Sequence, residues 1–300
     1  MEKKDKISVV VVTRNNYRDL FYCLHSLTEQ TTNLDEVVVV NNNSTDKTNK
    51  VIDYFSKIKK LNINTYLEKK VGYPVVRNTG IRVSRNNWVA FIDDDCVAKP
   101  NWYENIKKTV LSNNNIDVIL GSNRTYYRSN IASLTEYLIY SIWRNGKIIN
   151  NKIVDFEILD SKNIVYNKKF LNSKNIKFDE EMIMYDNGSS EDSDLGMKIF
   201  SNKGRVFFAK NVVVLHKDET SIFNLLKKII KRSNGHYHYE RKWKKIRQGF
   251  KQNKIDYLKY LLEYKRTMGI NSVRMIYILF LLVIIIPIIF FSKYKYIYEK

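Results

Sequence analysis

The 300-residue chain is poor in residues that cross-link, break or loosen a fold: it has two cysteines, three prolines and ten glycines. The cysteines, Cys23 and Cys96, are too few and too far apart for a disulfide framework or a cysteine metal site, and they suit a reducing compartment. Scarce Gly and Pro, beside 44% hydrophobic residues, exclude a collagen-like, linker-like or disordered chain. There is no internal repeat and no long low-complexity tract. No secretory leader is expected, because Met1–Lys6 is charged and the apolar run behind it is short. Acidic residues are outnumbered: 31 Asp and Glu face 51 Lys and Arg, a net charge of +20. The excess is uneven. Residues 217–300 hold 19 basic and 6 acidic side chains, a net of +13, which leaves +7 for the first 216. That basic end suits phosphate-rich or anionic-membrane partners.

What is present is a series of buried-strand patterns. Ile7–Val12 (ISVVVV), Glu36–Val40 (EVVVV) and Trp88–Ile92 (WVAFI) are continuous apolar runs of the kind buried on both faces of a parallel sheet. Asn64–Leu67 is a shorter candidate strand. Between them, Asp19–Leu27, Val51–Ile58 and Pro74–Val83 have helical spacing. Strands alternating with helices predict an α/β domain with a mostly parallel sheet. In such sheets ligands bind beyond the carboxyl ends of the strands, so the turns after Val12, Val40 and Ile92 share one functional edge. The middle, Asp117–Phe178, is less regular and rich in aromatics. Beyond it come an acidic loop, a short helix at Asp192–Ser201, and two strands ending at His216.

The run FIDDDC, Phe91–Cys96, puts three carboxylates directly behind a buried strand. Adjacent negative charges repel, and an Asp-x-Asp at a strand end presents two hard oxygen ligands to one point. Transfer of a group from a nucleotide diphosphate requires such a site, since a divalent cation bridges the phosphates. A solvated acidic loop is the plainer alternative for the motif by itself.

Four stretches settle the choice by resemblance: ISVVVVTRNN, EVVVVNNNSTDKT, GYPVVRNTGIRVSRNNWVAFIDDDC and GSSEDSDLGMKIFSNKGRVFFAKNVVVLH. In order and spacing, from Ile7 to His216, they resemble the successive motifs of glycosyltransferase family 2. The resemblance implies the GT-A fold, a Rossmann-like mixed sheet flanked by helices. It implies a nucleotide-sugar donor, a divalent metal (Mn or Mg), and inversion at the transferred carbon. It places Thr13 and Asn15 beside the base and ribose, Arg77 near the donor, and Asp93 and Asp94 in the donor-binding turn. Asp95 is the expected direct metal ligand, with Asp93 and His216 as further metal candidates. Asp192 corresponds to the general base and Glu191 to its acidic neighbour, although by themselves they read as a helix N-terminal cap. Arg232 or Lys231 are secondary candidates for the departing diphosphate. One departure concerns the second strand, where the family usually has Asp and this chain has Asn41. An amide can accept from a uracil or thymine N3–H and donate to the neighbouring carbonyl, which favours a UDP or dTDP donor. The same change leaves open a catalytically inactive relative that only binds sugar nucleotides or scaffolds a membrane complex. A basic nucleic-acid-binding protein is a third reading, without a reading motif to support it.

Beyond His216 the expectation is a basic amphipathic helical region over 217–272, with an amphipathic helix at Ile222–Ile230, then an apolar anchor over 273–292 and a short basic tail over 293–300. Met275–Phe291 has no charge, close to the lower limit for a span of about 17 residues. It either spans, or bends at Pro287 and re-enters; a core helix is the remaining alternative. Basic flanks on both sides place the protein at the cytoplasmic face of an anionic membrane. The Gln-x-x-Arg-Trp motif of processive members is absent, so the expectation is single additions to a saccharide or lipid-linked acceptor in cell-envelope or exopolysaccharide synthesis.

Overall fold

In the computed structural model, which describes residues 6–298 apart from 59, 114, 146, 150–151, 154, 185–189 and 248–256, the valine-rich runs form the centre of one sheet. The amino-terminal half supplies β1 (Ile7–Thr13), α1 (Tyr17–Thr28), β2 (Glu36–Asn41), α2 (Thr48–Ser56), β3 (Ile63–Leu67), α3 (Tyr73–Val83), β4 (Trp88–Asp93), β5 (Cys96–Ala98) and α4 (Trp102–Ser112). Then follow β6 (Val118–Thr125), α5 (Ile131–Asn145), β7 (Ile148–Ile149), β8 (Lys152–Ile153), β9 (Asn163–Asn167), α6 (Lys168–Ser173), α7 (Glu191–Ser201) and β10 (Val206–His216). Three helices close the chain: α8 (Ile222–Arg247), α9 (Tyr257–Met268) and α10 (Ser272–Tyr298).

The strand order is β3-β2-β1-β4-β9-β6-β10-β8-β7, with β5 pairing β10. β1 to β4 are mutually parallel, β9 runs antiparallel between β4 and β6, and β10 is parallel to β6. Side chains alternate across a strand, and both faces here are covered. Val9 and Val11 join a core with α1, α2 and α4, while Val10 and Val12 join a second core with α3 and α7. Each such valine contributes about 1.5–3 kcal/mol by burial. The register brings Thr13 beside Asn41, Val12 beside Asp93, Ile92 beside Asn163, and His216 beside both Cys96 and Thr125. One edge of the sheet therefore collects every motif terminus.

Four expectations change. The two strands ending at His216 are one strand, β10, which bulges: Phe208 pairs Leu120 and Val213 pairs Ser122, so the exposed Lys210 and Asn211 loop out without ending it. The helix expected at Ile222–Ile230 runs on to Arg247, and its later turns are tied to α7 by Trp243 Nε1 donating to Asp194, 2.9 Å. The irregular middle contains β6, a 15-residue α5 and β9. Pro287 lies inside α10, which continues to Tyr298 rather than turning back.

The carboxyl-terminal helices pack on the domain. Met275, Ile278 and Leu282 of α10 meet Leu134 and Leu138 of α5 with Tyr264 of α9, and Leu281 and Ile285 meet Ala132 and Leu225. The opposite side of α10 exposes Ile276, Phe280 and Val283. Ser272–Ile289 is long and apolar enough to cross a membrane, with 22% of it buried.

Candidate active site

The loop after β1 and the loop after β4 are joined through the middle aspartate. Thr13 Oγ1 donates to Asp94 Oδ2 at 2.6 Å and Asn16 Nδ2 donates to Asp94 Oδ1 at 3.1 Å. Both oxygens of Asp94 are thus engaged by the protein itself, and burial, reinforced by Asp95, pushes its carboxyl well above the usual range. Its role here is to fix the turn that presents Asp93 and Asp95. Asn15, in the left-handed region at φ 51°, accepts from Thr45 N at 2.7 Å, and Asn41 Oδ1 accepts from Ser44 N at 2.9 Å while its Nδ2 donates to Asn49. The structure therefore brings Thr13, Asn15 and Asn41 to one edge but uses the Asn41 amide, 2% exposed, to close the β2–α2 loop.

Arg77 is the hub of a second group. α3 begins at Gly72, whose φ of 148° favours glycine and whose N–H donates to Asn42 Oδ1. One turn further, the buried Arg77 guanidinium ion-pairs with Glu191, lies 3.5 Å from Asp93 Oδ1 and 3.8 Å from Asp192 Oδ1, and sits over the rings of Tyr73 and Phe178. Burial works against its charge, but Asp192, Glu191 and Asp93 outweigh it and hold the guanidinium well above its ordinary value. Burial pushes Asp93 up to about 6 and Glu191 up to about 8, with Arg77 opposing both shifts and the neighbouring carboxylates adding to them. α7 reaches this position because Gly196 lets it lie directly against the Phe156 carbonyl, and Ser193 Oγ donates to Glu157 O at 2.8 Å. Asp192 itself is gripped by the Ser161 hydroxyl and by Ser161 N at 3.2 Å, and its side chain remains 19% exposed.

Asp95 faces His216 across the edge, Oδ2 to Nε2 at 3.3 Å, and His216 Nδ1 meets Asp218 Oδ1 at 2.6 Å. Despite burial, Asp95 and Asp218 push the imidazole up to about 9, and the imidazolium in turn holds Asp95 well below the usual carboxylate range. A carboxylate oxygen and an imidazole nitrogen backed by a second carboxylate are a fitting donor pair for a divalent cation. Among the described residues no three His, Cys, Asp or Glu side chains form a closed metal cluster. Among the described residues, Asp95 and His216 are the pair that would hold such a cation.

The motif series did not reveal the loop Asp160-Ser161-Lys162, which holds Asp192 and whose Asp160 charge is felt at Asp93. Nor did it reveal Asp218, although a His-x-Asp spacing is a readable signal for an oriented imidazole. Arg232, on α8, is close enough for its charge to act on Tyr73 and Lys162. Cys96 is buried beneath the aspartates in the apolar core, so it serves there as a small apolar side chain.

Comparison with known proteins bears on the family and the fold. The family model described as glycosyl transferase family 2 matches residues 8–173. An uncharacterized glycosyltransferase of Escherichia coli (strain K12), YibD, is 30% identical over 111 residues, 37% of this chain and 32% of its own length. The chondroitin synthase of Escherichia coli is 29% identical over 172 residues, 53% of this chain and 25% of its own. The matched part spans a third or less of either relative. Among solved structures, S. aureus TarS 1–349 superposes with a TM-score of 0.57 at 19% identity, covering 79% of this chain and 73% of that one. The mannosyltransferase PcManGT from Pyrobaculum calidifontis, in complex with GDP-Man and Mn2+, superposes at 0.62 and 17% identity, covering 93% and 74%. These likenesses establish the GT-A fold, and the family model covers more than half of the chain: this protein belongs to glycosyltransferase family 2.

Proposed function

We propose that the protein transfers a sugar, with inversion and one unit at a time, from a nucleotide-diphosphate donor to a saccharide or lipid-linked acceptor in cell-envelope or exopolysaccharide synthesis. The observation that carries this reading is the convergence of Asp93, Glu191 and Asp192 on Arg77 at the edge that also holds Asp95 and His216. A UDP- or dTDP-sugar is the favoured donor: TarS, of the same fold, has been solved with UDP-GlcNAc and with UDP, while the Asn41 amide is spent on the β2–α2 loop and does not read the base. Mn or Mg, held by Asp95 and His216 with Asp93 nearby, would neutralise the diphosphate as it departs.

The protein's own residues do the rest. Asp192 takes the acceptor proton; Ser161 fixes its orientation and the start of α7 favours its charge. Arg77 keeps Glu191 and Asp93 from repelling it out of place. The Lys231–Arg232 pair on α8 adds positive charge on the diphosphate side. The basic helices and the exposed side of α10 support attachment at the cytoplasmic face of an anionic membrane. Because α5 and α8 cover the other side of α10, this attachment is along the surface rather than across it.

Purified protein should release nucleotide diphosphate from a UDP- or dTDP-sugar when Mn or Mg is supplied. Asp192→Ala should lower turnover about 10²- to 10⁴-fold with donor binding retained. Asp95→Ala should weaken metal-dependent donor binding. Wild-type turnover in both variants would refute the assignment, and donor binding without turnover on any acceptor would favour the inactive relative.

A further inference from the structure

A cavity of about 370 Å³ lies away from the carboxylates, between α5, β6, β10 and α9, lined among others by Asn123, Tyr137, Tyr140, Arg144, Lys210 and Tyr260. Two of its side chains point to a ligand, one by its charge and one by an unsatisfied atom. Arg144 is 7% exposed; its Nη2 donates to Gly121 O at 3.1 Å, and its guanidinium lies 4.4 Å from the centre of the Phe208 ring. Among the described residues the other buried basic side chains, Arg77, Lys147 and His216, each have carboxylate partners, whereas no carboxylate pairs with Arg144. A buried cation without a counter-charge is costly, and an anion in the cavity removes that cost. The second is Asn123, 5% exposed, whose Oδ1 has no hydrogen-bond partner. Its Nδ2 donates to Tyr140 Oη at 3.2 Å and Asp160 Oδ2 at 3.3 Å. A free amide acceptor calls for a hydroxyl donor, and aromatic rings give a sugar its apolar faces to lie on.

The cavity is tied to the transfer site through consecutive residues. Asp160 receives Asn123 on the cavity side, and Ser161 holds Asp192 on the other. We propose that this cavity is an acceptor subsite for an acidic saccharide, whose carboxylate or phosphate pairs with Arg144 and whose hydroxyl reaches Asn123. The inference rests on the transfer reading above. Guanidinium matches either anion in a forked geometry, and Lys210, exposed on β10, adds a second charge.

Calorimetric titration of the intact protein with methyl β-glucuronide, glucose 6-phosphate and uncharged methyl β-glucoside tests it, and comparing the two charged probes tells carboxylate from phosphate. At least one charged probe should bind tenfold or more tightly than the glucoside. Arg144→Gln should abolish that preference, and Lys210→Gln should weaken it severalfold. Equal binding of charged and uncharged probes overturns the proposal, as does a preference that survives in folded Arg144→Gln. If Arg144→Gln does not fold, a preference unchanged in both Arg144→Lys and Lys210→Gln overturns it instead. UDP and dTDP titrated into the same samples report the donor site separately. Nucleotide binding without the charged preference refutes the cavity assignment alone, and an Arg144-dependent preference without nucleotide binding refutes the transfer reading alone.

Discussion

Arg77 decides the protonation of its surroundings. Three carboxylates share one buried guanidinium, so removing it leaves buried charge without a partner, which costs about 3–5 kcal/mol. Arg77→Ala should therefore lower the denaturant midpoint of the metal-free protein strongly, and the deficit should depend on pH. Asp93 and Glu191 sit above their unfolded values of 3.8 and 4.5, at about 6 and about 8, so the folded state favours their protons. Stability associated with such groups is present below the unfolded values and is lost as pH rises through the folded ones. Without Arg77 both folded values move higher, and the loss on going from pH 5 to pH 8 should exceed that of the wild type. Urea titrations at both values measure it; a pH-independent deficit would refute the coupling. At this scale the motifs were enough to bring Asp93, Asp95, Asp192 and His216 to one edge of the sheet, while the role of each belongs to the proposal. The sequence was silent on Arg144, Asn123 and Ser161, because their meaning lies in hydrogen-bond partners 17 or more positions away that no local pattern records.

Single elements show a different limit. Continuous apolar runs and helical spacing were sufficient to locate β1, β2, β4 and the helices between them, because each is buried through its own pattern. They split β10 in two, since a bulge interrupts alternation without interrupting pairing. They stopped α8 at Ile230, because its continuation is held by contacts such as Trp243 to Asp194 rather than by an apolar stripe. α8 is also clamped to α5. Glu136 Oε1 lies 2.8 Å from Lys228 Nζ and Glu136 Oε2 accepts from Glu219 N at 2.8 Å. In spite of burial, Lys228 and then His216 hold the Glu136 carboxyl down at about 2, from 4.5. A depressed carboxylate contributes stability that is present above about pH 4.5 and lost as pH falls toward 2. Glu136→Gln should lower the melting temperature at pH 7 and flatten its decline between pH 4.5 and 3 relative to the wild type, by circular dichroism. An identical acid slope in both proteins would show that the clamp contributes nothing.

For the whole molecule, the decisive arrangement is α10 lying against α5 and α8. An upright span would carry Lys227, Lys228, Lys231 and Arg232 of α8 toward hydrocarbon, where each charge costs about 2.5–3.5 kcal/mol or more. Surface attachment leaves them at the headgroups. Cys23 and Cys96 are buried, so a thiol added at Ser292→Cys is a clean reporter. A membrane-impermeant maleimide should label it in inverted vesicles and not in intact cells; labelling from outside would establish a span. Hydropathy alone made the helix visible but not its posture, since posture depends on which neighbours cover it. On the proposed surface attachment, a helix held flat along its own domain would also restrict how the protein meets its substrates. Freedom to tumble would be reduced to sliding and rotation about one axis, with the strand edge at a set height above the lipid. Acceptors embedded in the same leaflet would then be found by a two-dimensional search, and the rate would follow their number per unit area rather than their concentration in the surrounding solution.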